Sequence, residues 1–283
     1  MRWAAGFVLL FATSLTAVEP PPTDGWSTLT TPGFSVRVQG RTPAPDEILA
    51  YLNDFWTALQ ARFQVERKAP PPTDVYVFSN RAKFEDYVKT QQQPTSITGW
   101  CHLGNEANFI VTYGRRPDSA DTLQTALGHE LAHLFIIARV PDARRLPGWL
   151  NEGIAACFGE AALSPGGTLT PGLPSRRLFP LQARVKMGDY EKLASLFRIA
   201  SEDWHAAGRS DQAWSVVHYL SRNEATGGFG ALRQYLFAAG SDPDPIGLFA
   251  RSFKVDLENF ERDWKEYVIR LEPDLPRGIG AHQ

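Results

Sequence analysis

The residues most able to do chemistry are His129, Glu130 and His133, which form an H-E-x-x-H segment in an otherwise apolar stretch. In a helix, positions 129 and 133 lie one turn apart and differ by about 40° around the axis, so both imidazoles can reach one ion. Glu130 then lies to the side of the pair, where it can take a proton from a water at that ion. This spacing is typical of the part of a catalytic zinc site that one helix supplies.

The helix that carries this segment must also pack into a core. Asp118 or Ser119 is expected to cap it, and it should run to about Arg139. The histidines lie roughly 140° from the centre of its apolar stripe, so one side would be buried and the other would face a site. The stripe consists of Leu123, Leu127, Leu131, Leu134 and Ala138. Because H-E-x-x-H also occurs by chance on inert helix faces, a second feature is needed.

The second feature is Glu152, in an apolar stretch that reads as a helix entered at Pro147 and ended near Gly159. A carboxylate in such surroundings must be paired or bound to metal, because burying it bare is costly. Eighteen residues separate it from His133, which is room for a loop and a second helix returning antiparallel beside the first. Gly153, which lacks a Cβ, would let the two helices approach closely.

His129, His133 and Glu152 would then supply three ligands of one tetrahedral zinc ion per chain, with the fourth position left for water. The segments H-E-L-A-H and, eighteen residues later, W-L-N-E-G-I-A resemble the gluzincin clan of zinc metallopeptidases. The resemblance is closest to the small exported bacterial proteins of the peptidase MA-like family, and it covers roughly residues 26–270. It implies that Glu130 is the general base.

The resemblance also implies a mixed sheet over the motif helix, with an edge strand that lines the substrate cleft. The aminopeptidase branch of the clan has a tyrosine that stabilises the oxyanion, but a rough match places Ser210 there. His205, His218 and Tyr219 are alternatives, although a packed aromatic side chain is the simpler reading of Tyr219. His102 is expected at the surface or in the cleft wall. The aminopeptidase-type exopeptidase motif, a G-x-M-E-N strand, is lacking, so an endopeptidase or a restricted cell-envelope peptidase remains open.

The remaining patterns predict an α+β fold. A small mixed sheet subdomain (26–115) is expected to pack on the motif helix and to be followed by an all-helical subdomain (116–275) and a tail (276–283). Phe34–Val38, with its alternating apolar residues, and the apolar run Asp74–Phe78 predict strands, and Asn108–Tyr113 is expected to pair with the segment around Trp100. Apolar residues at helical spacing predict helices in the C-terminal part, including Tyr190–Ile199 and 224–239.

Residues 1–17 have the pattern of a signal peptide, with Arg2 before an apolar stretch and a plausible cut after Ala17. A linker (18–25) follows, so we expect export to the periplasm or the medium. No later stretch is long and apolar enough to predict a transmembrane helix. Cys101 and Cys157 suit an oxidising compartment, either as a disulfide or as two buried thiols.

The chain has 283 residues, of which 43% are hydrophobic, and its formal net charge is −2. It can therefore bury a full core, and the absence of any basic run argues against nucleic acid as a partner. The leading hypothesis is an exported zinc metallopeptidase with a peptide or protein substrate. The alternatives are a non-catalytic binding module that has kept the zinc-site fold, and a metal-free protein with a coincidental motif.

Overall fold

The computed structural model describes residues 6–9, 18–40, 43–104, 107–114, 122–199, 204 and 208–274. The protein is α+β, as the sequence predicts, with its main sheet in the N-terminal part and a helical C-terminal part. Most of the predicted signal peptide and the tail at 276–283 lie outside the described residues.

The sheet is mixed, which confirms the prediction, and its strand order is β1-β5-β6-β4-β3-β2. Five strands between residues 27 and 113 form its body, and a short segment near the N-terminus adds a sixth that pairs in parallel with β5. The bounds are β1 Gly6–Leu9, β2 Ser27–Thr30, β3 Phe34–Val38, β4 Thr73–Phe78, β5 Ile97–Leu103 and β6 Asn108–Tyr113. The β5–β6 and β2–β3 pairs are antiparallel, whereas β3–β4 and β4–β6 are parallel.

Helices cover both faces of the sheet, because its central strands β4, β5 and β6 carry apolar side chains on both faces and are buried almost throughout. One face packs on α1 (Pro45–Arg62) and α3 (Leu123–Arg139) and contributes Val36, Val75 and Ile110 to the main core. The other face forms a smaller cluster with α2 (Arg81–Thr90), which Asn80 caps by accepting a hydrogen bond from Lys83 N. The motif helix therefore lies directly under the sheet, and β5 contacts it.

The motif helix begins later than the sequence suggested. Its N-cap is Thr122, whose side chain accepts a hydrogen bond from Thr125 N at 3.1 Å, so the prediction of Asp118 or Ser119 as the cap is wrong. Leu127, Leu131 and Leu134 are buried as expected. Ala138, which was assigned to the same stripe, is exposed near the last turn.

The C-terminal part contains seven further α-helices among the described residues. They are α4 Gly148–Gly159, α5 Ser175–Met187, α6 Leu193–Leu196, α7 Arg209–Arg222, α8 Gly228–Ala239, α9 Pro245–Phe253 and α10 Leu257–Arg270. A small hairpin, β7 Ala162–Leu163 and β8 Leu169–Thr170, interrupts this otherwise helical region. Two predicted helices are shorter than expected, since Tyr190–Ile199 reduces to α6, and 224–239 is broken at Gly227 and Gly228, both at positive φ.

Helix α4 is the centre of the molecule, because all twelve of its residues are buried. It lies between α3 on one side and α7 on the other, and these two helices are its main neighbours. Its composition explains this position, since it is apolar or glycine except for Asn151 and Glu152. A helix that is apolar all round is stable only when it is surrounded.

Within the described ranges, no helix combines the length and the apolar character that crossing a bilayer requires.

Candidate metal centre

The structure brings together the three side chains that the sequence singled out as metal ligands. His129 Nε2 and His133 Nε2, on successive turns of α3, are 3.0 Å apart. Glu152 reaches them from α4, with Oε2 3.8 Å from His129 Nε2 and Oε1 3.6 Å from His133 Nε2. Within the described part of the chain, this is the one group of three or more histidine, cysteine or acidic side chains that could hold a metal ion.

The spacing of the donor atoms suits zinc. Ligands at about 2.1 Å from a tetrahedral ion lie about 3.4 Å from one another. The three separations here, from 3.0 to 3.8 Å, bracket that value. Two imidazole nitrogens and one carboxylate oxygen are also the donor set of one class of catalytic zinc site, in which a fourth position stays open.

Burial sets the charge state of the two imidazoles. His129 and His133 are fully buried, which lowers the pKa of His133 to about 4 and that of His129 well below its usual range. Arg177 and the neighbouring His133 lower the pKa of His129 further. Both rings are therefore neutral near pH 7, which is the form that binds a metal ion.

Close packing of α4 on α3 depends on Gly159. A Cβ at this position would lie 3.0 Å from both His129 Cβ and Thr125 O, so only glycine fits without a shift. The prediction that Gly153 would make this approach possible is wrong. Gly153 faces α7 instead, where a Cβ would lie 2.7 Å from Ala213 O. The sequence indicated that a glycine was needed but not which neighbour each glycine meets.

Asn151 was not predicted to have a role in the site. Its Oδ1 lies 3.2 Å from His133 Nδ1, and the side chain is buried. Metal-binding histidines commonly donate their second ring nitrogen to such an acceptor, which fixes the ring and its tautomer. The signal was present in the sequence, because a buried amide next to a ligand in an apolar helix needs a partner.

Glu130 follows His129 in α3 and is fully buried, with β5 against it. A Cβ built on Gly99 of β5 would come within 2.8 Å of Glu130 Oε1. Cys101, two residues along the same strand, has a pKa raised well above the usual range by burial and then by the Glu130 carboxylate. The carboxylate thus lies between the motif helix and the inner face of β5.

The candidates for the residue that stabilises the oxyanion have other partners. His218 Nδ1 is 2.7 Å from Tyr267 OH, and the ring of Tyr219 packs on Phe260 and Tyr267 of α10. Tyr219 is thus a packed aromatic between α7 and α10, as the simpler reading predicted. Ser210 Oγ accepts a hydrogen bond from Trp204 Nε1 at 3.2 Å.

The remaining histidine candidates do not add to the site. His205 lies outside the described residues. His102 is partly exposed on β5, with its ring stacked on Phe109 at 4.9 Å between centroids. It belongs to the sheet's outer aromatic face, so the expectation of a surface position fits it.

The two cysteines are unpaired. Cys101 and Cys157 are both buried free thiols, and Cys157 Sγ donates to Trp214 O at 3.3 Å. Of the two possibilities that the sequence left open, the structure has the two buried thiols.

A buried ion network adjoins the centre and was not predicted. Arg177 of α5 is 3% exposed and contacts Glu160 at 2.8 Å and Asp211 at 2.7 Å. Arg176 adds a second contact to Glu160. The network ties the end of α4 to the start of α7. A buried arginine with two carboxylate partners has no simple signature in a single sequence.

Comparison with known proteins gives a distant structural likeness. No family model and no curated protein matches the chain. Among solved structures, the chain is similar to native yeast LTA4 hydrolase, with 14% sequence identity and a TM-score of 0.43. The match covers 90% of this chain and 40% of the yeast protein. The residues themselves define an α+β protein with a buried His-His-Glu cluster that could hold a metal ion.

Proposed function

We propose that this protein is an exported zinc-dependent peptidase of the gluzincin type, similar to the peptidase MA-like proteins. The observation that carries the proposal is the convergence of His129, His133 and Glu152 from two helices, with Glu130 next to His129 in α3. A neutral, buried pair of imidazoles with one carboxylate has the composition of a catalytic zinc site, and an adjacent buried carboxylate supplies the base that peptide hydrolysis requires.

His129, His133 and Glu152 would hold the ion, and Asn151 would orient His133 for that purpose. When bound there, zinc would supply Lewis acidity, which brings the pKa of a water molecule towards neutrality and polarises a carbonyl group. Glu130 accepts the proton that the attacking water loses and passes it to the nitrogen of the leaving amine. Its burial at the sheet keeps bulk water away from this proton transfer.

Strand β5 would present the substrate to this site. Its inner face lies against Glu130, and β1 pairs with its outer edge through Gly6–Leu9. Those four residues belong to the predicted signal peptide. Cleavage after Ala17 would therefore expose the edge of β5, where an extended substrate peptide could pair with it. Main-chain pairing of this kind gives affinity with little sequence preference, which suits a peptidase.

Metal analysis of the purified chain, paired with cleavage of an unbiased peptide library, tests the proposal. We expect about one zinc per chain and cleavage that stops when a chelator removes the ion. Glu130→Gln should keep the zinc and lower kcat by about 10²–10⁴-fold, because it removes the base alone. Glu258→Gln, on the exposed first turn of α10, is the matched control and should keep full activity. Equal activity in the Glu130→Gln chain would overturn the mechanism.

A non-catalytic binding module is the second candidate. It is favoured by the partners of Ser210, His218 and Tyr219, since each of these side chains is engaged elsewhere. Stoichiometric zinc without any chelator-sensitive cleavage of the library would support the module. A purified wild-type chain that contains no zinc would instead indicate that the H-E-x-x-H segment is coincidental.

A further inference from the structure

The backbone of β5 passes so close to Glu130 that position 99 has no room for a side chain larger than hydrogen. An ideal Cβ on Gly99 would lie 2.8 Å from Glu130 Oε1, 3.2 Å from its Cγ and 3.4 Å from its Cδ. All three nearest atoms belong to one side chain. The gap left by the missing methyl group is therefore filled by the Glu130 carboxylate and by the carbon atoms that lead to it.

Neither backbone at this contact is free to move away. Gly99 is paired with Thr112 in the antiparallel β5–β6 ladder, and Thr112 Oγ1 donates to Thr98 O at 2.9 Å. On the other side, α3 is buried from Ala126 to Ile136 between the sheet and α4. A methyl group at position 99 would thus displace the Glu130 side chain rather than the strand or the helix.

We propose that Gly99 is a positioning residue for the general base, because its missing side chain sets where the Glu130 carboxylate rests. This inference depends on the proposed function, in which Glu130 transfers the proton. A displacement of about 1 Å at a reacting group can cost on the order of 100-fold in rate. Gly99 touches no reacting atom itself and acts only through Glu130.

The activity test uses Gly99→Ala in the full chain, on a library peptide that the wild-type chain cleaves. We expect kcat to fall by roughly 100-fold with zinc content and KM nearly unchanged, since the base moves and the ligands do not. Gly114→Ala is the matched control at the end of β6. Its added Cβ would meet nothing closer than 3.7 Å, so its activity should stay at the wild-type level.

A double-mutant cycle separates this role from others that Gly99 could have. In the Glu130→Gln background, Gly99→Ala should lower the residual rate by less than threefold, because the group that it displaces no longer transfers a proton. A large rise in KM in the single variant would instead assign Gly99 to substrate binding by β5. Equal losses in both backgrounds would also overturn the proposal.

A second readout needs neither metal nor substrate. In the metal-free chain, Gly99→Ala should lower the urea midpoint of unfolding, whereas Gly114→Ala should not. Glu130→Ala empties the space beside β5. In that background, Gly99→Ala should cause no further loss of stability. If Gly99→Ala is equally harmful with and without the Glu130 side chain, the contact is not the cause.

The outcomes distinguish this inference from the function on which it rests. A wild-type chain that binds no zinc or cleaves no peptide overturns the proposed peptidase and the positioning role together. A wild-type chain that is active and a Gly99→Ala chain of equal kcat overturn only the role of Gly99.

Discussion

His133 Nδ1 lies 3.2 Å from Asn151 Oδ1, across the interface between the two helices that carry the metal centre. The amide oxygen accepts, so the proton of His133 sits on Nδ1 and the lone pair of Nε2 points at the other ligands. Because Asn151 precedes Glu152, one turn of α4 supplies both a ligand and the group that orients another ligand. The relative position of α3 and α4 is thus fixed at two adjacent residues.

Asn151→Ala should weaken zinc binding while the fold is kept. Removal of such an orienting partner typically costs about 10–100-fold in metal affinity. The affinity can be measured at pH 7 by competition with a chromogenic chelator. Asn53→Ala, on the exposed side of α1, is the control and should bind zinc as the wild-type chain does. An unchanged affinity in Asn151→Ala would show that the ring of His133 is held by its packing alone.

Gly153→Ala should destabilise the chain through the contact of α4 with α7. The new Cβ would lie 2.7 Å from Ala213 O and 3.0 Å from Ala213 C, so a helix backbone must shift. Overpacking of this kind costs about 1–3 kcal/mol, which urea unfolding detects. Gly166→Ala, at an exposed turn with no atom closer than 3.8 Å to the added Cβ, should change the unfolding free energy little. Equal stability of the two variants would contradict the packing argument.

His218 should make the protein less stable in mild acid. Burial, followed by the charge of Arg222, lowers its pKa to about 4, whereas Asp274 raises it slightly. The unfolded chain, with an ordinary histidine pKa of about 6.5, therefore binds more protons below that pH. The stability due to this group is fully present above pH 6.5 and is lost as pH falls towards 4, by about 3 kcal/mol in all.

The matching variant is His218→Gln, which cannot bind the proton. Its free energy of unfolding should fall less between pH 7.5 and pH 4.5 than that of the wild-type chain, although both contain His129 and His133. The difference between the wild-type chain and the variant in this fall of the unfolding free energy gives the contribution of His218. Parallel pH profiles would mean that this imidazole has the same pKa in the folded and unfolded chains.

Export can be tested at the N-terminus. The predicted cut after Ala17 leaves Leu15 at the −3 position, where signal peptidases prefer a small residue. Leu15→Ala should therefore speed processing, with the mature chain still beginning at Val18, as measured by pulse-chase labelling and intact mass. Leu10→Ala, within the apolar stretch, provides the comparison and should not speed it. A chain that stays in the cytoplasm with Met1 or Arg2 at its start would contradict the prediction.

The grouping of His129, His133 and Glu152 was predictable because helical spacing fixes two of them and burial requires a partner for the third. Strands β3 to β6 and most helix ends were also predictable, since they follow local alternation and turn residues, whereas β1 and β2 were not predicted. The errors at Thr122 and Gly227 concern where a helix begins, and the other failures depended on the identity of a neighbour. Gly153 was assigned to the wrong helix, and the roles of Gly99 and Arg177 arise from elements far apart in the chain.

The burial of α4 has a consequence for how the protein fluctuates. Because all twelve of its residues are buried, its amide hydrogens should exchange only when the whole domain opens. Withdrawal of the Glu152 backbone from the histidines would then require that same rare opening. The ligand cluster would persist in the metal-free chain, and the ion would enter a site that is already assembled.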